Sequence, residues 1–120
     1  MKTIQAWHFL RDDRTLRDGS KLQLGVRLSH TGPLALCHEG YHASLRAIDA
    51  LRYAPGSLIT RVECEDVIFD EDKLVCRYRT ALWSLDATDL LRQFARKCAL
   101  SVADKWNMPA VVREYLTTGD

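Results

Sequence analysis

The chain has 120 residues, of which 47% are hydrophobic and 28% are charged, and its formal net charge is +1. This length is typical of one globular domain, the composition excludes a disordered chain, and the near-neutral charge disfavours direct binding to nucleic acid. No apolar stretch reaches the roughly 18 residues of a membrane-spanning helix, and the first residues lack the apolar core of a secretory signal. We therefore expect a single compact domain over residues 1–120, in the cytoplasm and away from membranes.

The first third of the chain predicts two strands. Residues 2–9 alternate loosely between apolar and polar side chains, which is typical of a strand. Residues 21–28 alternate more strictly, which predicts a second strand with one face buried. Gly32 and Pro33 end this strand, because proline cannot donate a hydrogen bond to a sheet and glycine favours a turn.

The stretch from residue 36 to residue 53 is the densest in reactive side chains, since Cys37, His38 and His42 fall within six residues. Gly40 permits a sharp bend, after which residues 41–43 are expected to be extended. Ser44 is expected to cap a short helix over residues 45–53, because its hydroxyl can accept a hydrogen bond from the first turn.

Two further strands follow, separated by an acidic run. Residues 58–64 and 73–83 are rich in β-formers, and the acids at 70–72 predict the turn between them. Arg77 and Arg79 share one face of the later strand, so we expect both to form ion pairs with the acidic strand beside them.

The C-terminal third predicts helix. Asp86 is a suitable N-cap, and apolar residues recur at spacings of three and four as far as Trp106. Pro109 then begins a short last helix. The fold class is therefore α+β: a mostly antiparallel sheet of about five strands, with a short middle helix and a long C-terminal helix packed on it.

Cys37, His38 and His42 are the candidate metal ligands, because thiolate and imidazole are the groups that zinc prefers. Their spacing matches no standard zinc module, and an extended backbone would point Cys37 and His38 to opposite faces. We therefore expect no bound metal and no cofactor. Cys37 with a neighbouring histidine could also act as a nucleophile, but no third residue is evident that would orient the pair. The other cysteines are expected to be buried apolar residues.

A resemblance is carried by Cys37, Gly40, Tyr41, His42 and Ala43. This C-x-x-G-[aromatic]-H-A pattern resembles a family of small uncharacterised phage and prophage proteins. Those proteins continue into a helix with a D-A-L-x-Y element, which stands here at residues 49–53. The resemblance covers roughly residues 4–86 and implies a phage origin, with a bacterial host cytoplasm as the location, rather than a particular activity.

The same region also resembles ADP-ribosyltransferase-like domains. His8 matches the His or Arg of their first strand, and residues 41–44 with Tyr53 match their second region. In those enzymes the His or Arg holds a ribose of NAD, a tyrosine stacks on nicotinamide and a glutamate orients the ribose or acceptor. Here Glu63 and Glu65 stand only nearby. The resemblance implies catalytic candidates His8, Tyr41, His42 and Ser44, in an active enzyme or an inactive relic that binds NAD or a nucleotide.

The absence of a complete catalytic set favours a binding protein over an enzyme. A small phage-type domain of this kind is expected to dock on a host protein and modulate it, as anti-defence proteins such as CRISPR inhibitors do. The sequence leaves its oligomeric state open. Acidic residues concentrated between positions 63 and 72 are the predicted contact surface for a basic partner. The predicted partner-binding residues are Glu65, Asp66, Asp70, Glu71 and Asp72.

Overall fold

A computed structural model describes residues 2–36 and 40–119. The strands are β1 (Thr3–Leu10), β2 (Arg27–Ser29), β3 (Tyr41–Ala43), β4 (Leu58–Phe69) and β5 (Leu74–Asp86), and the α-helices are α1 (Ala47–Leu51), α2 (Thr88–Ser101) and α3 (Ala110–Thr118). This mixture of helix and strand confirms the predicted α+β class. None of the helices within the described ranges is long and apolar enough to span a membrane.

The five strands form one antiparallel sheet. Its order is β1-β4-β5-β2, and β3 pairs with β5 as well. β4 and β5 form a long hairpin, closed by a hydrogen bond of 2.9 Å from the Asp70 N–H to the Lys73 carbonyl. The turn predicted from the acids at 70–72 is confirmed.

A backbone bridge links β1 to the residue that follows β3. The Trp7 N–H donates to the Ser44 carbonyl at 2.7 Å, and the Ser44 N–H donates to the Trp7 carbonyl at 2.9 Å. Because Trp7 lies opposite Arg61 at a non-hydrogen-bonded position of the β1–β4 pair, both of its backbone groups point away from β4. The bridge therefore brings the two ends of the sheet together and gives it a closed inner face.

The core lies on this inner face. The register places Ala6 opposite Val62 and His8 opposite Thr60, so these four side chains share one face of the sheet. The main buried cluster consists of Ala6, Ala43, Val62, Cys64, Leu74, Cys76 and Ala81. The burial of Cys64 and Cys76 agrees with their interpretation as small apolar residues. The same prediction is wrong for Cys98, which is exposed.

The strand predicted over residues 21–28 is wrong for most of its length. Only Arg27–Ser29 form a strand, and Leu24 and Val26 are exposed. Gly25 has a φ of +77°, which ends the extended backbone, and its N–H donates to the Ala81 carbonyl at 2.8 Å. Residues 21–26 therefore form an irregular segment whose backbone contacts β5 at Ala81, before β2 pairs with β5.

The predicted cap of the middle helix is also wrong. α1 begins at Ala47, its N-cap is Arg46, and no side chain caps it. Because the backbone of Ser44 is held in the bridge to Trp7, the chain stays extended beyond the point where a capped helix would start. The extended conformation predicted for residues 41–43 is confirmed as β3.

The contacts along the chain define two units, which divide between Asp86 and Ala87. The first holds the sheet and α1, and the second holds α2, α3 and a single 3₁₀ turn (Ala103–Lys105). The expectation of one domain over residues 1–120 stays a prediction.

The prediction of a long C-terminal helix is wrong, because the helices of the second unit are short. α2 ends at Ser101, whose hydroxyl donates to the Cys98 carbonyl at 2.6 Å. At Val102 the N–H reaches back three residues to the Ala99 carbonyl, and φ is −113°, so the helical path stops although the apolar spacing continues to Trp106.

We expect Gly40→Ala to destabilise the first unit by about 2–4 kcal/mol. Gly40 has a φ of +103°, and a Cβ there would stand 2.7 Å from Val75 Cγ2 and 2.8 Å from Leu34 Cδ2. Urea unfolding followed by circular dichroism measures the change.

Gly25→Ala is the matched control, because Gly25 also has a positive φ but nothing lies within 4 Å of the point that a Cβ would occupy there. It should lose only the backbone contribution of about 1 kcal/mol. Equal losses in the two variants would contradict the close packing of Gly40 against Val75.

Candidate functional site

The first unit contains a cleft of about 700 Å³. Its walls come from β1, the loop after β1, β3 and α1, and from Arg79 of β5. This volume lies within the range of roughly 300–1,000 Å³ that is typical of small-molecule sites. The cleft is therefore large enough to hold a ligand of nucleotide size.

The four catalytic candidates from the sequence meet in this cleft. His8 comes from β1, and Tyr41 and His42 come from β3. Ser44 follows β3 and forms the bridge to β1. Tyr53, which follows α1, also lines it. The grouping depends on the bridge between Trp7 and Ser44, since β1 and β3 are far apart along the chain.

His8 stands in the wall of the cleft, where it is half-buried. Burial holds the pKa of its imidazole well below the usual value of 6.5, and the nearby Arg79 and His42 lower it further. A neutral imidazole can both donate and accept a hydrogen bond. His8 is thus suited to contacting a polar ligand group without adding charge to the cleft.

Arg79 is the residue of the cleft that sequence reasoning misplaced. Its prediction as a partner in a cross-strand ion pair is wrong: it is only 6% exposed, and its Nη1 donates to the His42 carbonyl at 2.6 Å. Its guanidinium carbon lies 5.1 Å from the centre of the Tyr41 ring. Arg77, two residues earlier, does form the predicted pair, with Asp66 at 2.9 Å.

The environment of Arg79 is unusual for a buried cation. Burial lowers the pKa of its guanidinium, although an arginine stays charged in proteins. Buried charges are normally paired, because moving an unpaired charge out of water is strongly unfavourable. Among the described residues, however, the one hydrogen-bond acceptor for Arg79 is a backbone carbonyl.

Positive charge dominates the part of the cleft wall that the described residues form. Among the described residues that line it, the cations are Arg11, Arg17, Lys73 and Arg79, and the only carboxylate is that of Asp18. A concave site with this imbalance attracts anions, since its walls concentrate the field of the charged groups. The chain as a whole carries a charge of only +1, so this local excess cannot be inferred from composition.

The predicted acidic surface is largely neutralised by neighbouring arginines. Glu65 pairs with Arg27 at 2.9 Å, Asp66 pairs with Arg77, and Asp72 pairs with Arg52 at 3.0 Å. Tyr53 also donates to Asp72 at 2.7 Å, and this hydrogen bond lowers the pKa of the carboxyl group. The remaining predicted contact residues, Asp70 and Glu71, lie in the turn of the hairpin.

The candidate metal ligands are only partly described. Cys37 and His38 lie outside the described residues, whereas His42 lines the cleft. The described part of the chain holds no group of three or more His, Cys, Asp or Glu residues that could bind a metal ion together.

Comparison of the chain with protein-family models, with curated proteins and with solved structures found no match. The resemblances to phage proteins and to ADP-ribosyltransferase-like domains therefore stay predictions, and the geometry of the cleft carries the functional argument.

The half-buried His8 should make the free energy of unfolding depend on pH. Because the folded protein holds the pKa of His8 below that of the unfolded chain, the unfolded chain binds more protons below about pH 6.5. Stability should therefore be full above pH 6.5 and fall as the pH drops, with a slope from this group of up to about 1.4 kcal/mol per pH unit.

Urea unfolding at a series of pH values from about 7.5 to about 5, a range that spans the usual pKa of histidine, tests this expectation. His8→Gln should flatten the slope, whereas His30→Gln should keep it, because His8 remains in place. The same slope in wild type and His8→Gln would contradict the assignment.

Proposed function

We propose that this domain binds NAD or a related nucleotide in the cleft. The observation that carries the proposal is the meeting of His8, Tyr41, His42 and Ser44 around one cavity of about 700 Å³. These are the residues that the resemblance to ADP-ribosyltransferase-like domains selects. The excess of cations in the walls supports an anionic ligand, and the ring of Tyr41 offers a face for a flat base.

The cleft supports binding more than group transfer. The transferases that the sequence resembles orient the ribose or acceptor with a glutamate. Glu65 is engaged with Arg27, and neither Glu63 nor Glu65 lines the cleft. Asp18 is the only carboxylate among the described lining residues. We therefore propose a nucleotide-binding domain, related to a transferase in its site but without the transfer step.

Isothermal titration with NAD, ADP-ribose and AMP tests the proposal, and saturable binding in the micromolar to millimolar range is expected. Tyr41→Ala should weaken binding about 3- to 10-fold, because aromatic stacking contributes roughly 0.5–1.5 kcal/mol. Tyr78→Ala is the matched control, since Tyr78 lies under Arg27 and does not line the cleft. Neither heat nor a thermal shift at millimolar ligand would contradict the proposal.

A second candidate function is docking on a host protein, as a phage-type accessory or anti-defence protein in the host cytoplasm. The observation that favours it lies at the tip of the β4–β5 hairpin. Ile68 is 44% exposed and Phe69 is 51% exposed, next to Asp70 and Glu71. Exposed apolar residues beside acids suit a partner that presents an apolar patch edged with basic residues.

Reversing the two tip charges, as Asp70→Lys with Glu71→Lys, should remove this docking. Asp72 is left unchanged because it anchors Arg52 and Tyr53. Asp104→Lys with Glu114→Lys is the control, since it makes the same change of charge at exposed positions of the second unit. Pull-down from a bacterial host followed by mass spectrometry should recover a partner with wild type and the control only. Equal recovery with the tip variant would exclude this surface.

A further inference from the structure

We infer that Arg79 and Thr60 form a phosphate-binding subsite at the back of the cleft. The inference rests on the proposed function, because it assigns the groups that would hold the phosphate of a nucleotide: Arg79 in the wall of the cleft, and Thr60 in the wall of a smaller cavity beside it. It goes further by naming residues of β4 and β5 that neither resemblance selects.

The first observation is the burial of the Arg79 side chain. Its side chain is more than nine-tenths buried, and the acceptor it finds among the described residues is the His42 carbonyl. The guanidinium has five N–H donors in a planar fork that matches the oxygens of a phosphate. A phosphate would supply further acceptors, and its negative charge would add to that of Asp18, a described carboxylate whose field reaches Arg79.

The second observation is independent and concerns Thr60. Its Oγ1 is buried and has no hydrogen-bond partner in the described part of the protein. Buried hydroxyls are nearly always hydrogen-bonded, and an unpaired one costs about 1–3 kcal/mol. Thr60 and Arg79 both line a smaller cavity of about 190 Å³, and this cavity shares His8 and Arg79 with the main cleft.

The two cavities therefore meet at His8 and Arg79, with Thr60 directly opposite His8 across the β1–β4 pair. Arg79 supplies a cation and several donors, Thr60 a hydroxyl donor, and His8 a neutral imidazole. A phosphate at this junction would leave the rest of a nucleotide in the main cleft, where Tyr41 and His42 lie. A free inorganic phosphate could occupy the same junction.

Isothermal titration with inorganic phosphate, pyrophosphate, AMP and adenosine tests the subsite on the full chain. Wild type should bind the three phosphate-bearing probes and should bind adenosine at least 10-fold more weakly than AMP. Arg79→Gln should reduce phosphate and AMP binding about 10- to 100-fold, as expected for hydrogen bonds to charged groups, and should reduce adenosine binding by a much smaller factor, because adenosine carries no phosphate.

Two conservative variants keep the test decisive if Arg79→Gln does not fold. Arg79→Lys keeps the charge but loses the fork, so AMP should bind several-fold more weakly. Thr60→Val keeps the shape and removes the unpaired hydroxyl. It should be as stable as wild type or more stable, and should bind phosphate about 3- to 10-fold more weakly.

The control is Arg61→Gln. Arg61 lies on the face of the sheet opposite to Thr60, and its guanidinium carbon is 4.3 Å from the centre of the Trp7 ring. The substitution should therefore leave phosphate binding unchanged. Failure of wild type to bind any phosphate-bearing probe overturns the subsite. So does wild-type affinity for phosphate and AMP in Arg79→Gln, or in both conservative variants if Arg79→Gln does not fold.

Different results would contradict the phosphate subsite and the proposed nucleotide binding. Binding of NAD and of adenosine that does not depend on Arg79 or Thr60 would keep nucleotide binding and exclude the subsite. Binding of phosphate and pyrophosphate that depends on Arg79, with no binding of NAD and no gain for AMP over phosphate, would keep the subsite and exclude the nucleotide.

Discussion

The structure depends on two hydrogen bonds between the backbones of Trp7 and Ser44. They give β1 a partner on the edge that β4 does not occupy, so that the sheet closes around its inner face. Without them β3 would be only a short edge segment of β5, and His8 would have no fixed relation to His42. The bridge therefore sets the geometry of the cleft as well as the enclosure of the core.

Closure of the sheet also explains the environment of Arg79. A guanidinium on an open sheet face would reach solvent or a surface carboxylate, as Arg77 does with Asp66. Inside the closed face Arg79 instead finds the His42 carbonyl and the Tyr41 ring. These contacts offset part of the desolvation of the charge, and a buried cation that lines a cavity is a candidate for binding an anionic group.

The acids are clustered in the sequence but are largely paired in the fold, whereas the cations of the cleft are scattered in the sequence and grouped in the fold. The conspicuous acids between Glu65 and Asp72 lie outside the cleft, where arginines from other parts of the chain pair with three of them. The cations that line the cleft are scattered in sequence between Arg11 and Arg79 and become a group only when the chain folds. A net charge of +1 averages these two regions and hides both.

The sequence by itself determined the features that depend on neighbouring residues. The α+β class, β1, β3, the β4–β5 hairpin and its acidic turn follow from local alternation and turn chemistry, and these predictions are confirmed. Five residues of the cleft were reached through a resemblance to known domains, namely His8, Tyr41, His42, Ser44 and Tyr53. That route names residue types but cannot show that they share a cavity.

Only the tertiary structure decided which face of β5 is inside. Leu74, Val75 and Cys76 are consecutive and all buried, so apolar and polar side chains do not alternate at the start of this strand. The sequence therefore does not indicate which face of β5 is buried, and the burial of Arg79 could not be predicted from it. Ser44 similarly fits the chemistry of a helix cap, yet its backbone joins Trp7 instead. The contact of Arg79 with the His42 carbonyl and the bridge of Ser44 to Trp7 both join distant segments. Each outweighs a local preference of about 1 kcal/mol, because it forms together with the rest of a cooperative sheet.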